Sequence, residues 1–318
     1  MINYNKIIKR IKKSENVFVM GHKAIDFDAF GACLAISELC ERLNKKCYII
    51  IEDPKLEEGT KKGLEYINEN NNKFNIGKYS DYKDKIKKDT LLIIVDTYSS
   101  KRAQSSKLVN LTSNIIYIDH HLFGEPVNDN YFIDSKVSST CEILTNLFIE
   151  KKMRINKYTA TVMLTGINID SNNFSVKTNE KTHKAAAYLH HCGADLSTAN
   201  NFSKTKLVDY IKIQKIIFKT KFYKKKFAIV VGNQESIYER KNLAIISDTL
   251  LLFDGVVASF AIGYIGKKIA GISARGNDYN VQKIMKKFGG GGSKTNAACQ
   301  IENITLKEAY EMIKGELK

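Results

Sequence analysis

The stretch GHKAIDFDAFG (residues 21–31) follows the apolar run VFVM and precedes residues 32–43, whose apolar side chains recur at helical spacing. This order predicts a buried strand, a turn and a helix. Open α/β sheets bind ligands at the carboxyl ends of their strands, where this turn would lie. Three side chains on the turn are candidate cation ligands: His22, Asp26 and Asp28. The alternative is that Asp28 only caps the helix and that His22 only ends the strand.

Composition indicates a globular protein with two domains, because 318 residues exceed what one compact core usually holds. Hydrophobic residues make up 43% of the chain and only two prolines occur, which excludes a disordered composition. The longest apolar candidate, residues 250–265, is broken by Asp254 and Gly255. We therefore expect no membrane-crossing segment and a soluble, cytoplasmic protein. Six scattered cysteines without a CxxC pair disfavour a disulfide framework and a thiolate zinc site.

The formal net charge of +16 has two interpretations. Lysine runs predict an anionic partner, and they lie near residues 12–13, 83–88, 219–226 and 283–287. An AT-rich genome would also raise the content of lysine, asparagine and isoleucine, which are all abundant here. Charge alone therefore leaves a polyanionic ligand and a compositional bias open.

The pattern of apolar runs changes along the chain. Three runs in the first half are predicted as buried parallel strands between helices: residues 47–52, 90–96 and 115–121. Three runs in the second half are predicted as strands that include a hairpin: residues 227–231, 256–265 and 268–274. The predicted fold class is α/β. We expect a mostly parallel-sheet domain at residues 1–200, a helical connector at 201–224, and a smaller mixed-sheet α/β domain at 225–318.

Side chains suited to metal binding follow three predicted strands and end one predicted helix. These side chains are His22, Asp26 and Asp28; Asp96; Asp119, His120 and His121; and Asp170. Carboxylates and imidazoles without sulfur favour manganese, iron or magnesium over structural zinc. Two such ions a few ångströms apart form the usual clamp for phosphoryl hydrolysis. Taken singly, each residue also fits an ordinary role, such as a turn former or a core histidine. Their joint placement favours a metal site.

Four motifs in the first half, taken in order, resemble the DHH phosphoesterase superfamily. They are GHKAIDFDAFGA, the IVDT at residues 94–97, the DHH at residues 119–121, and the later Asp170. The segment SARGNDYNVQKIMKKFGGGGSKTNAACQI (residues 273–301) is similar to the DHH-associated substrate domain. The superfamily includes RecJ-type nucleases, family II pyrophosphatases and nanoRNases. The resemblance covers nearly the whole chain.

The resemblance implies a site with two divalent ions and favours Mn²⁺ as the metal. It implies that the first ion is held by His22, Asp26 and Asp96, and the second by Asp28, Asp96, His120 and Asp170. His121 would contact phosphate or donate a proton, and Asp119 would orient the histidines. A water molecule between two ions becomes hydroxide near neutral pH, so in-line attack on phosphorus needs no side-chain nucleophile.

Within the second domain, the resemblance implies substrate contacts. The implied residues are Arg275 as a phosphate clamp, Asn280 or Asn296 at a base edge, and the loop formed by Gly290, Gly291, Gly292 and Ser293. The family loop usually ends in histidine, so Ser293 is a departure that leaves substrate affinity and identity in question. The alternative for the glycines is a flexible linker or a helix C-cap. The active site is expected in the cleft between the two domains.

Local sequence similarity favours one branch of the superfamily. Residues 172–195 and the segment NVQKIMKKFGGGGSKTNAACQI resemble cyclic-di-AMP phosphodiesterases of the GdpP type, which open the ring to pApA. The second hypothesis is a nanoRNase (oligoribonuclease) that also dephosphorylates 3′-phosphoadenosine 5′-phosphate. The third is a non-enzymatic, basic nucleic-acid-binding protein on a degenerate scaffold. The expected binding partner is a small nucleotide or a very short RNA. We expect no membrane as a partner. The sequence leaves open whether the chain forms a homodimer.

Overall fold

The computed structural model describes residues 2–54, 56–70, 73–121, 128–204 and 206–317. Its contacts divide the chain into two compact units, Met1–Lys204 and Thr205–Lys318. Within the described residues, no helix combines the length and the apolar character that crossing a bilayer requires.

The first unit is built on a parallel sheet of six strands. The strands are β1 (Asn16–Met20), β2 (Lys46–Ile50), β3 (Asn75–Gly77), β4 (Leu91–Val95), β5 (Ile115–Asp119) and β6 (Tyr131–Ile133). Their order across the sheet is β3-β2-β1-β4-β5-β6, and every neighbouring pair is parallel. The five-residue runs of β1 and β4 are fully buried because the sheet is covered on both faces.

Nine helices are described in this unit. They are α1 (Tyr4–Lys13), α2 (Phe27–Arg42), α3 (Glu58–Asn70), α4 (Tyr79–Tyr82), α5 (Ser106–Val109), α6 (Thr140–Glu150), α7 (Lys157–Asp170), α8 (Glu180–His191) and α9 (Leu196–Phe202). Helix α2 is buried along most of its length and packs against β1, β2, α6 and α7. This burial explains why most of its residues are apolar, although Asp28, Ser37 and Glu38 are buried as well.

The strand order places a ligand-binding crevice at one defined point. The chain leaves β1 for β2 on one side and later returns to place β4 on the other side of β1. Such a reversal leaves a crevice at the carboxyl ends of the two strands. His22 follows β1 and Asp96 follows β4, so the topology alone brings these two side chains to the crevice.

Two glycines allow the helices behind the crevice to approach closely. A Cβ atom at Gly166 of α7 would lie 3.0 Å from the Asp28 Cα and 3.0 Å from the Phe27 carbonyl oxygen in α2. A Cβ atom at Gly31 of α2 would lie 2.8 Å from the Cys141 Sγ. The spacing of α2, α6 and α7 therefore depends on the absence of a side chain at these positions.

The second unit has a mixed sheet with helices on both faces. Its strands are β7 (Lys221–Tyr223), β8 (Phe227–Val231), β9 (Ala258–Gly266), β10 (Ile269–Gly276), β11 (Gly291–Gly292) and β12 (Asn296–Glu302). Its helices are α10 (Leu207–Ile217), α11 (Arg240–Leu250), α12 (Val281–Lys287) and α13 (Leu306–Glu316). The order is β11-β12-β10-β9-β8-β7, in which only the β8–β9 pair is parallel.

The predicted fold class is confirmed, with a parallel sheet in the first unit and a mixed sheet in the second. The segment 201–224, for which a helical connector is predicted, contains the end of α9 and all of α10 and β7. Ile213 and Ile217 of α10 pack into the core of the second unit, and β7 pairs with β8. Most of this segment is therefore part of the second unit.

We expect Gly166→Ala to lower the free energy of unfolding by about 1–3 kcal/mol, because the methyl group would overpack the α2–α7 contact. Gly315→Ala is the matched control, since it lies in α13 with no atom within 4 Å of an added Cβ. This control should be neutral or stabilising by up to about 1 kcal/mol. Urea unfolding of both variants tests the prediction, and equal midpoints would contradict it.

Candidate metal centre

The six predicted metal ligands come from the ends of four elements. His22 follows β1, Asp26 caps α2 and Asp28 lies in its first turn, Asp96 follows β4, His120 follows β5, and Asp170 ends α7. Among the described residues, potential ligand atoms form three clusters, in each of which the atoms lie within 4.8 Å of one another. Two of these clusters together contain all six predicted ligands, and the third joins Asp96 and His120 to Asp119 and His121.

The first cluster contains His22, Asp26 and Asp96. The His22 Nε2 lies 3.4 Å from the Asp26 Oδ2 and 3.3 Å from the Asp96 Oδ2. On the other side of the ring, the His22 Nδ1 lies 2.7 Å from the Lys23 carbonyl oxygen. Because a carbonyl only accepts, Nδ1 carries the proton and Nε2 is left for the cluster.

The second cluster is centred on His120. Its Nε2 lies 3.3 Å from the Asp170 Oδ2, 3.4 Å from the Asp96 Oδ1 and 3.9 Å from the Asp28 Oδ2. Asp96 therefore presents one carboxylate oxygen to each cluster, Oδ2 to His22 and Oδ1 to His120. A carboxylate placed in this way could offer one oxygen to a cation in each cluster.

Asp96 has an unusual backbone conformation. Its φ is +57°, in the left-handed region, and its side chain is buried. Among residues with a side chain, aspartate and asparagine adopt this region most readily, at a cost that the surrounding structure must offset. The left-handed turn ends β4 and directs the carboxylate into the crevice between the two histidines.

The first turn of α6 orients Asp28. The backbone N–H groups of Thr140 and Cys141 each donate a hydrogen bond of 2.7 Å to the Asp28 carboxylate, one to each oxygen. The Thr140 hydroxyl also donates to the Asp96 Oδ1 at 3.4 Å. The positive end of α6 thus stabilises a buried negative charge. Sequence reasoning did not single out Thr140. Its available signal is the S-x-x-E spacing of Ser139 and Glu142, which is typical of a helix start.

Asp119 fixes the position of His121. Its Oδ1 accepts hydrogen bonds from the His120 N–H at 2.8 Å, the His121 N–H at 3.2 Å and the His121 Nδ1 at 2.7 Å. The His121 side chain is 44% exposed, whereas those of His22 and His120 are 12% and 5% exposed. His121 is therefore the imidazole of the three that remains most open to a bound molecule.

The carboxylates alter the proton affinity of the buried histidines. Burial alone lowers the pKa of His22, but Asp26 and Asp96 outweigh it and raise the pKa to about 11. The same competition holds for His120, where Asp170 and Asp96 raise the pKa to about 11. Without bound cations, the two histidines therefore supply positive charge to the carboxylates.

The pKa values of the buried Asp28 and Asp96 shift in opposite directions in this environment. Burial raises the pKa of Asp28, and the nearby charges of Asp96 and Asp170 raise it further. Burial also acts on Asp96, but His120 and His22 hold its pKa below the usual value. Of these two residues, Asp96 is the one whose negative charge the site stabilises.

Unsatisfied polar atoms indicate that the residues fit a cation. Both ring nitrogens of His120 and the Asp119 Oδ2 are buried and lack a hydrogen-bond partner. Buried polar atoms in folded proteins are nearly always paired. A cation among Asp28, Asp96 and Asp170 would satisfy the His120 Nε2. The nitrogen and oxygen donors suit manganese, magnesium or iron.

The predicted substrate residues of the second unit divide into two groups. Arg275, Gly290 and Gly291 line a cavity of about 680 Å³, together with Arg240, Ser273 and Gln300. Four others lie outside that lining: Asn280, Gly292, Ser293 and Asn296. The Asn280 side chain caps α12, and Ser293 exchanges hydrogen bonds with the Asn296 backbone, so these polar groups have structural partners.

Arg275 is held by an acidic neighbour. Its Nε and one terminal nitrogen contact the two Asp248 oxygens at 2.6 and 3.3 Å, and the other terminal nitrogen contacts Ser273 and Ala274. A bidentate phosphate clamp by Arg275 would require it to leave Asp248. Arg240 and Gln300 are additional polar groups that sequence reasoning missed, because a single polar residue gives no sign of the cavity that it will line.

We expect Thr140→Val to weaken Mn²⁺ binding by about tenfold, the low end of effects from residues that orient ligands. Valine keeps the shape of the side chain but removes the hydroxyl that faces Asp96. Thr140→Ser keeps the hydroxyl and should bind Mn²⁺ like the unchanged protein. Calorimetric titration measures both affinities, and wild-type affinity in the valine variant would refute the role of the hydroxyl.

Comparison with known proteins agrees with this architecture. The DHH family, N-terminal domain, matches residues 16–167, and the DHHA1 domain matches residues 224–318. The cyclic-di-AMP phosphodiesterase GdpP of Geobacillus thermodenitrificans is 33% identical over 311 residues, which cover 96% of this chain and 47% of GdpP. The chain thus spans about half the length of that relative.

Two further proteins are similar to this chain over nearly the whole length of both chains. The bifunctional oligoribonuclease and PAP phosphatase NrnA of Mycoplasma genitalium is 24% identical, over 93% of this chain and 92% of NrnA. The crystal structure of an exopolyphosphatase-related protein from Bacteroides fragilis superposes with a TM-score of 0.81 at 17% identity, over 98% and 95% of the two chains, which supports the fold alone. The two matched domains, their order along the chain and the DHH motif at residues 119–121 place this chain in the DHH family.

Proposed function

We propose that the chain is a manganese-dependent phosphodiesterase that hydrolyses cyclic-di-AMP to pApA. The observation that carries the proposal is the buried Asp96, whose two oxygens face two separate clusters of imidazole and carboxylate groups. Such an arrangement suits two divalent ions, which would neutralise phosphoryl oxygens and lower the pKa of water.

In this proposal the chain provides fixed positions for the reacting groups. His22, Asp26 and Asp96 would hold one ion, and Asp28, Asp96, His120 and Asp170 would hold the other. The N-terminus of α6 keeps Asp28 oriented through Thr140 and Cys141.

His121 is the proposed proton donor or phosphate contact. Since its Nδ1 donates to the Asp119 Oδ1, its Nε2 is the atom that faces the reaction. Asp119 acts through His121 by fixing this tautomer and the orientation of the ring. Donation of a proton from Nε2 to the departing oxygen would require the doubly protonated ring, whose positive charge the Asp119 carboxylate would balance.

The choice of cyclic-di-AMP is supported by the 33% identity to GdpP, which extends over both domains. The cavity in the second unit, at about 680 Å³, has the volume of ordinary small-molecule sites. Its polar groups from Arg240, Ser273, Gln300 and the glycine loop suit a nucleotide with charged and planar parts. A cytoplasmic location and a homodimer remain predictions from the sequence.

The alternative function is that of an oligoribonuclease with phosphatase activity toward 3′-phosphoadenosine 5′-phosphate. Its support is the match to NrnA, which covers 92% of that protein at lower identity. Both functions use the same metal centre, so they differ only in how the substrate is held.

A substrate panel separates the two functions. With Mn²⁺, we expect faster turnover of cyclic-di-AMP than of pApA, 3′-phosphoadenosine 5′-phosphate or a trinucleotide RNA. Product analysis should identify pApA, since a single ring opening yields the linear dinucleotide. Faster trimming of the RNA would favour the oligoribonuclease.

Asp96→Asn tests whether the bridging carboxylate is required. Asparagine tolerates the left-handed backbone at this position, so the fold should persist. We expect turnover to fall by roughly a hundredfold or more, beyond the usual effect of residues outside the ligand set. Asp129→Asn, at an exposed aspartate paired with Lys6, is the control and should keep full turnover. Undiminished turnover in the Asp96 variant would exclude the proposed mechanism.

A further inference from the structure

Helix α10 and strand β7 carry an exposed surface that the proposed reaction does not use. Leu207, Ile211 and Phe218 are spaced four and seven residues apart, so they lie on one face of the helix. Leu207 is 70% and Phe218 87% exposed, and Phe222 of β7, shortly after the helix, is 58% exposed. We call the exposed residues of segment 206–226 the α10–β7 surface.

The opposite side of α10 is also apolar and already has a partner. Ile213 and Ile217 are buried in the core of the second unit against Leu243 and Ile246 of α11. The helix therefore needs no further apolar residues to attach to its own unit. The exposed apolar face has no structural role within the second unit.

Lysines border the apolar face. Lys212, Lys215 and Lys219 are spaced three and four residues apart and form an exposed row beside it. Residues 204–226 contain nine lysines and one acidic residue, Asp209, and so carry about half of the formal net charge of +16. A genome-wide bias would spread lysines along the chain, whereas these concentrate around exposed apolar side chains.

We propose that the α10–β7 surface binds the surface of an anionic lipid bilayer. An interfacial helix combines large apolar side chains that enter the headgroup region with lysines that meet anionic lipids, and this surface has both. The chemistry is that of peripheral binding in the membrane plane. It differs from the expectation that a membrane is not a partner, which considered only spanning segments.

Charge and side-chain type favour lipid over other occupants. A second copy of the same surface would bring one lysine row against another, and repulsion would oppose a symmetric dimer there. Single-stranded RNA could stack its bases on the exposed rings of Phe218 and Phe222, but Leu207, Val208 and Ile211 beside them have no stacking face. Aliphatic side chains between lysines suit acyl chains beneath anionic headgroups.

Vesicle flotation of the whole chain tests the proposal. We expect binding to phosphatidylglycerol vesicles and none to phosphatidylcholine vesicles. Changing both Ile211→Ser and Phe218→Ser should weaken the partition by roughly tenfold or more, as expected for loss of large apolar side chains. Changing both Lys215→Gln and Lys219→Gln should weaken it by about fivefold per lysine.

Matched control variants distinguish vesicle binding by the α10–β7 surface from nonspecific binding. Leu252→Ser removes an apolar side chain that is 78% exposed elsewhere in the same unit, and Lys283→Gln with Lys286→Gln removes two exposed charges from α12. Both controls should bind vesicles like the unchanged protein. Equal binding to both lipids, or equal loss in the controls, would overturn the proposal.

Two further outcomes would assign the surface to another partner and equally overturn it. In both, the unchanged protein would not bind vesicles. In the first, the Ile211 and Phe218 changes would abolish a dimer seen by sedimentation. In the second, they would abolish the retention of short RNA. Unchanged thermal unfolding midpoints establish that all variants are folded.

Discussion

The buried carboxylate of Asp96 is the constraint around which the first unit is arranged. It lies 3.3 Å from His22 and 3.4 Å from His120, with almost no solvent to stabilise its charge. A buried charge persists only when other groups compensate it. The two histidines supply that compensation in the protein alone, and two cations are the proposed replacement. Groups from three strand ends and two helices converge for this reason.

The parallel sheet brings these groups together with short connections. Strands β1 and β4 are neighbours at the point where the strand order reverses, so their following residues meet without a long loop. The close contact at Gly166 sets the distance between α2, which carries Asp28, and α7, which ends at Asp170. The N-terminus of α6 then completes the cage by binding both oxygens of Asp28.

The second unit carries the cavity to which the proposed function assigns substrate recognition. Its cavity is lined by backbone of the glycine loop and by polar groups of β10, α11 and β12. Gly290 is required there because a Cβ would lie 2.2 Å from the Ala298 carbonyl oxygen. The glycine loop is thus packed against β12 and also lines the cavity, and the close packing at Gly290 excludes a side chain there.

The sequence by itself determined the fold class, the metal-type residues and their grouping by strand end, because continuous apolar runs and terminal polar residues are local patterns. It could not reveal β3 or β6, whose three-residue segments form only through pairing with neighbouring strands. The roles of Thr140 and Asp248 were equally hidden. Thr140 lies 44 residues from Asp96 in the chain, and Asp248 lies 27 from Arg275. Only the tertiary structure decides such contacts, because hydrogen bonds between distant residues follow from the packing of whole elements and leave no periodic trace in the sequence.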